Sequence, residues 1–128
     1  MIPQGDGWFV LNARDVSWIQ SEERGQEDFL VVAGECLLVI DGQERSLRAW
    51  DFVHCPPWTR HTFVGAGDAP CVIVMVGSRA DGFEVVYAVD DAAAKHGASV
   101  LEETSKPADP YAHFGPEHRS AYRDGWLP

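Results

Sequence analysis

The chain reads as an all-β protein, an antiparallel sandwich or barrel, and three observations carry that reading. Short β-prone runs alternate with turn residues through the middle of the sequence, at 29–32, 36–40, 44–48, 51–55, 61–64, 71–76 and 83–89. That rhythm of brief apolar runs and punctuating turns belongs to antiparallel folds. An Asp-Gly pair at Asp41-Gly42 divides an apolar run from a polar one, and such a pair supplies the two positive φ values of a two-residue type I′ hairpin. Pro56-Pro57 closes the run at 51–55, because proline lacks the amide that a central ladder needs.

The remaining elements follow in order. Residues 7–12 and 16–20 predict two N-terminal strands joined by a turn at 12–15. Gly65 to Pro70 reads as a longer loop between two apolar strands, and 78–82 as another connection. After Val89 an acidic start, three alanines and Gly97 predict a short helix over 91–96. From Glu102 onward prolines are frequent and aliphatic residues few, so 102–128 is expected as an extended tail, either draped on the body or partly disordered, with Tyr111, Phe114, Tyr122 and Trp126 arguing for draping. The organisation expected is one domain overall, with N-terminal strands at 1–19, a barrel core at 20–89, and a helix and tail at 90–128.

Composition narrows the classes of function. The chain has 128 residues, 45% of them hydrophobic, and a formal charge of -10, which is enough material for one core and the wrong sign for phosphate backbones or anionic headgroups. Neither nucleic acid nor a membrane is an expected partner. Cys36, Cys55 and Cys71 lie in apolar runs without Cys-x-x-Cys spacing, as buried, reduced thiols of a cytoplasmic protein do. No stretch approaches the roughly 20 apolar residues of a membrane span.

The residues with chemistry concentrate between Gln20 and His61. Glu27 stands seven residues before Gly34, and Pro56-Pro57-Trp58-Thr59-Arg60-His61 follows Trp50-Asp51. The first spacing resembles the end of the motif Gly-x5-His-x-His-x3-4-Glu-x6-Gly, and the second resembles Gly-x5-Pro-x-Gly-x2-His-x3-Asn, the two signatures of the cupin family. The resemblance covers roughly 20–76 and implies a single cupin-type antiparallel β-barrel, a double-stranded β-helix or jelly roll. It also implies a divalent metal (Mn, Fe, Ni or Zn), held by imidazole and carboxylate from facing walls. On this alignment Glu27 and His61 match family ligands, while Gln20 and Glu22 occupy the places of the two earlier histidines. The chain departs from the pattern further on, with Arg14 at the lead glycine and Gly65 at the final asparagine.

Around this reduced set, His54 and Cys55 point to opposite faces of a regular strand. If His54 faces inward it supplies a further imidazole; if Cys55 does, it is a small buried hydrophobe. Phe29, Phe63, Trp58 and Arg60 are candidates for lining a pocket, each weighed against plain core filling or a solvated charge. General acid or base roles fall to Glu22, Glu27 or His61. Three functions are compatible with these residues: a metal-assisted isomerase, epimerase, decarboxylase or dioxygenase; a metal-free binder of a small metabolite; and a structural homodimer. Dimerisation also answers the open edge that a short N-terminal half leaves.

Overall fold

The structure is a computed structural model describing residues 7–78 and 84–106, together with Pro110, Ala121 and 123–127. Nine strands and one short helix form along these residues: β1 Gly7–Leu11, β2 Glu22–Glu23, β3 Glu27–Ala33, β4 Glu35–Ile40, β5 Gln43–Arg48, β6 Phe52–Cys55, β7 His61–Ala66, β8 Cys71–Gly77, β9 Val85–Val86 and α1 Asp91–Ala94. They build a four-stranded sheet in the order β1-β8-β3-β6, a three-stranded sheet β5-β4-β7, and a small pair β2-β9. Every pairing is antiparallel. The two larger sheets face each other as a jelly roll.

Period-two alternation explains which side chains meet between the sheets. On β3, Phe29 and Val31 are buried while Asp28 and Leu30 turn outward; Phe9 and Leu11 do the same on β1, and Ile73 and Met75 on β8. Phe63 enters from β7, with its ring centroid 4.7 Å from that of Phe29 and 6.1 Å from that of Phe9. Burial of such a ring stabilises by about 1.5–3 kcal/mol.

Turns sit where the sequence placed them. Asp41 and Gly42 have φ of 46° and 75°, and Ile40 pairs with Gln43 across the hairpin. At Gly34, φ is +75° and a Cβ would lie 2.3 Å from the Pro70 carbonyl oxygen, so only glycine fits. Gly65 has a different reason: an added Cβ would stand 1.9 Å from the Asn12 carbonyl oxygen. Its amide donates to Asp15 and its carbonyl accepts from Arg14. The departure from the family asparagine at Gly65 is thus the seat of the turn at 12–15.

Three expectations need adjustment. In place of a strand over 16–20, isolated bridges stand on either side of a bend: Val16 opposes Val64 and Ser21 opposes His61, extending the smaller sheet beyond β7. The final strand shortens to Val85–Val86, Phe83 lying outside the described residues. The helix is α1, Asp91–Ala94, with Gly97 at φ +71° in the turns behind it. Of the tail aromatics, Trp126 packs edge-on against Trp8 at 5.6 Å, whereas Tyr111, Phe114 and Tyr122 lie outside the described residues. Among the described residues no helix is long and apolar enough to cross a membrane.

Candidate functional site

Glu27 opens β3, opposite Cys55 of β6 and Gly77 of β8, and faces into the space between the sheets. His61 opens β7 on the other sheet. Across the gap the two meet, with His61 Nε2 3.4 Å from Glu27 Oε1 and both side chains more than nine-tenths buried.

The tautomer of His61 follows from its other nitrogen. Nδ1 lies 2.7 Å from the Thr59 carbonyl oxygen, an acceptor only, so Nδ1 carries a proton and donates it there. In the neutral ring Nε2 is then a lone pair aimed toward a carboxylate oxygen. Among the described residues it has no hydrogen-bond partner. Rings wall this spot: Trp18 and Phe29 stand edge-on to the imidazole, centroids 5.5 Å and 5.4 Å away. Trp18 Nε1 donates to the His61 carbonyl at 3.0 Å, fixing the strand end that carries the imidazole.

The other predicted ligands go elsewhere. Gln20 is fully buried, but its Nε2 donates to Asp90 Oδ2 at 3.3 Å. Arg60 Nη1 lies 4.0 Å from the same oxygen. Asp90 caps α1 by accepting from the Ala93 amide at 2.8 Å, so these residues fasten the helix to the smaller sheet. A bend at 17–20 explains the outcome: Ile19 packs with Val85 and Tyr87, Gln20 turns to Asp90, and Ser21 is the residue bridged to His61. Glu22 is half-buried on β2. The question left open at His54 and Cys55 resolves to Cys55 inward, 1% exposed, and His54 outward, where its Nδ1 pairs with Asp28. His54 is therefore no pocket residue, because β6 alternation sends it to the far face. Phe29 and Phe63 belong to the core wall. Trp58 is exposed on the β6–β7 loop, its amide donating to the Glu23 carbonyl. Trp18, unassigned from sequence, is a principal wall of the site.

The family's metal can be tested against this donor set. Structural and catalytic ions of the first row take three or four protein donors. Here one imidazole and one carboxylate converge, and among the described residues no group of three His, Cys, Asp or Glu side chains is placed to hold an ion. The described residues do not fit a resident metal. At the site itself, burial, followed by the charge of Glu27, pushes the Cys55 thiol up to about 12, so it stays protonated and is no nucleophile there. Hydrogen bonding to Cys71, then burial, raises Cys36 well above the ordinary thiol range.

Comparison with known proteins bears on the same region. The sequence profile of the cupin domain matches residues 7–77. No curated protein sequence matches the chain. Among solved structures, a sugar phosphate isomerase from a cupin superfamily, from Silicibacter pomeroyi, is similar with a TM-score of 0.59 at 23% identity, over 66% of this chain and 60% of that one. A cupin 2 conserved barrel domain protein from Salinispora arenicola has a TM-score of 0.50 at 25% identity, over 59% and 63%. A cupin protein from Bacteroides fragilis has 0.51 at 18%, over 62% and 81%. The chain thus spans less than two thirds of the first two of these proteins, and likeness at this level of identity speaks for the shared fold.

Proposed function

The chain belongs to the cupin domain family, and from that premise we propose that it binds a small hydroxylated metabolite between its sheets without a resident metal. One observation carries the reading: His61 Nε2 is buried, has no hydrogen-bond partner among the described residues, and is an acceptor in the neutral ring because Thr59 holds the proton on Nδ1. A buried acceptor left without a donor costs about 1–3 kcal/mol. A ligand hydroxyl that donates to Nε2 removes that cost, and with the Glu27 carboxylate 3.4 Å away a second hydroxyl has an acceptor beside the first. Trp18 and Phe29 provide the apolar flanks that a carbon skeleton packs on. Trp58, exposed on the loop leading to His61, is the rim residue of this arrangement.

Thermal unfolding against a panel of sugars, sugar phosphates and hydroxy acids tests this. A ligand at 100 times its Kd stabilises by about 2.7 kcal/mol, so binders raise the Tm of the wild type and leave a His61→Phe variant unchanged. If no compound moves the wild type at millimolar concentration while His61→Phe matches or exceeds its stability, the imidazole is a packing residue and the proposal fails. Elemental analysis after chelator-free purification is the second arm. A stoichiometric divalent metal lost in His61→Ala would replace this reading with a metal centre.

A further inference from the structure

Sheets stacked face to face stand about 10 Å apart, too far for two cysteines to join, since a disulfide needs Cα atoms about 4.4–6.8 Å apart. At the end of the roll away from Glu27 and His61 that spacing collapses. β3 and β7 run from those two residues to Ala33 and Ala66, and β3 passes into β4 through the single residue Gly34, so the two sheets meet there at a corner. Two glycines let the backbones close. A Cβ on Gly34 would lie 2.8 Å from the Cys71 Cα, and a Cβ on Gly65 would lie 3.3 Å from the Leu11 Cβ. Gly65 is the ladder partner of Cys36 on β4, and Leu11 is that of Cys71 on β8. The two contacts thus draw the heads of β4 and β8 together. Cys36 and Cys71, 1% and 0% exposed, pack in one core cluster, and their side chains are hydrogen-bonded to each other. Cys55 stands apart at the other end, opposite Glu27.

We propose that Cys36 and Cys71 are an oxidisable pair, a modification site at which hydrogen peroxide closes a disulfide across this corner and clamps the two sheets together at the end remote from His61. The hydrogen bond between the thiols assigns their roles. Cys36 donates and keeps its proton, whereas accepting that bond lowers the Cys71 thiol from its ordinary value, against the opposing effect of burial. A thiolate is the form that attacks. The Cys71 sulfur attacks one oxygen of the peroxide and the O–O bond breaks, leaving Cys71 as a sulfenic acid. The departing hydroxide takes up the proton that Cys71 gave up and leaves as water. The Cys36 sulfur then attacks the Cys71 sulfur, the S–O bond breaks, and the second hydroxide leaves as water with the Cys36 proton. Two thiols lose two electrons in all, and the peroxide gains them. An oxidant little larger than water suits a pair this deeply buried, where a bulky disulfide such as oxidised glutathione has no approach.

Mass spectrometry of the native full chain after peroxide treatment, with peptide mapping under non-reducing conditions, decides the matter. The expected digest contains one peptide pair joining Cys36 to Cys71, lighter by two hydrogens than the sum of its parts and separated by dithiothreitol. The oxidised chain melts at least about 5 °C above the reduced one, because the bond closes the long loop between the two residues in the unfolded state, and dithiothreitol reverses the shift. Cys55→Ser still forms the cross-link, and Cys71→Ser forms none. The wild-type map stands by itself should Cys71→Ser fold poorly. Thiols that stay reduced in the folded chain, or a cross-link that forms only in urea, overturn the proposal. So does a bond through Cys55, or a sulfinic acid, sulfonic acid or glutathione adduct on Cys36 or Cys71 in place of the bond.

Discussion

The two sheets have outer faces of opposite character. Behind the smaller sheet, Val39 is covered by Ala92, Ala93 and Ala98, and the covering segment is fastened by Asp90 through Gln20, Arg60 and the amide of Ala93. Behind the larger sheet, Phe52 and Val76 stand in the open. One face is roofed by the chain itself, with small alanines that permit close approach and a buried polar hub that fixes the position. The other presents bulky side chains and one surface ion pair. Apolar outer positions alone therefore do not say how a sheet is covered; the presence or absence of a polar anchor does.

The strongest perturbation strikes what both sheets share. Phe63→Ala empties the space among Phe9, Trp18 and Phe29 and is expected to cost about 3–5 kcal/mol, read as a lower urea midpoint. Asp90→Ala should remove the roof selectively. Loss of the cap and abandonment of the buried Gln20 amide together cost about 2 kcal/mol, with faster hydrogen exchange at Ala93; equal exchange in variant and wild type would deny Asp90 its anchoring role. Alkaline titration comes next. The Cys55 thiol, pushed up to about 12 from an ordinary 9.0, keeps its proton in the folded state through a window in which the unfolded chain has lost it. This contribution is thus full well below pH 9 and falls as pH rises, by about 1.4 kcal/mol at pH 10, and Cys55→Ala removes it from the slope.

On the bare face the effects are smaller and of a different kind. Trp50 is 71% exposed with φ +74°, a left-handed conformation costing a bulky residue about 1 kcal/mol. Its amide donates to Val31 at the same sheet edge as Phe52. Trp50→Gly should leave the chain as stable or up to about 1 kcal/mol more stable; a chain made less stable would mean that the indole packs within it. His54→Gln, which removes a half-exposed partner of Asp28, changes stability by less than about 0.5 kcal/mol.

Much of this was legible in the residues. Asp41-Gly42 announced its hairpin because only two successive positive φ values close a two-residue turn there. Glu27 and His61 could be matched because each sits at the head of a regular strand, where spacing along the sequence is spacing along the wall. The left-handed backbone of Trp50, φ +74°, was not announced, because a bulky residue seldom adopts it. Gln20 was misassigned because spacing presumes even alternation, and the bend at 17–20 breaks it; a slip of one residue exchanges faces. The partner of Gln20 is Asp90, 70 residues away, a contact that no local pattern encodes. The choice between His54 and Cys55 needed the register of β6 against β3, in which Glu27 faces Cys55 and Asp28 faces His54.

The indole of Trp18 is hydrogen-bonded to the backbone of His61 and stands edge-on to its imidazole. Tryptophan emission responds to the charge and polarity of its immediate surroundings, and Trp50 and Trp58, both exposed, are open to soluble quenchers that the interior excludes. With iodide or acrylamide silencing the exposed indoles, Trp8 among them, the emission that remains comes from the half-buried Trp18 and Trp126, and Trp18 is the one that touches the proposed binding group. The molecule carries its own optical gauge of events at His61, readable without a label or a known substrate.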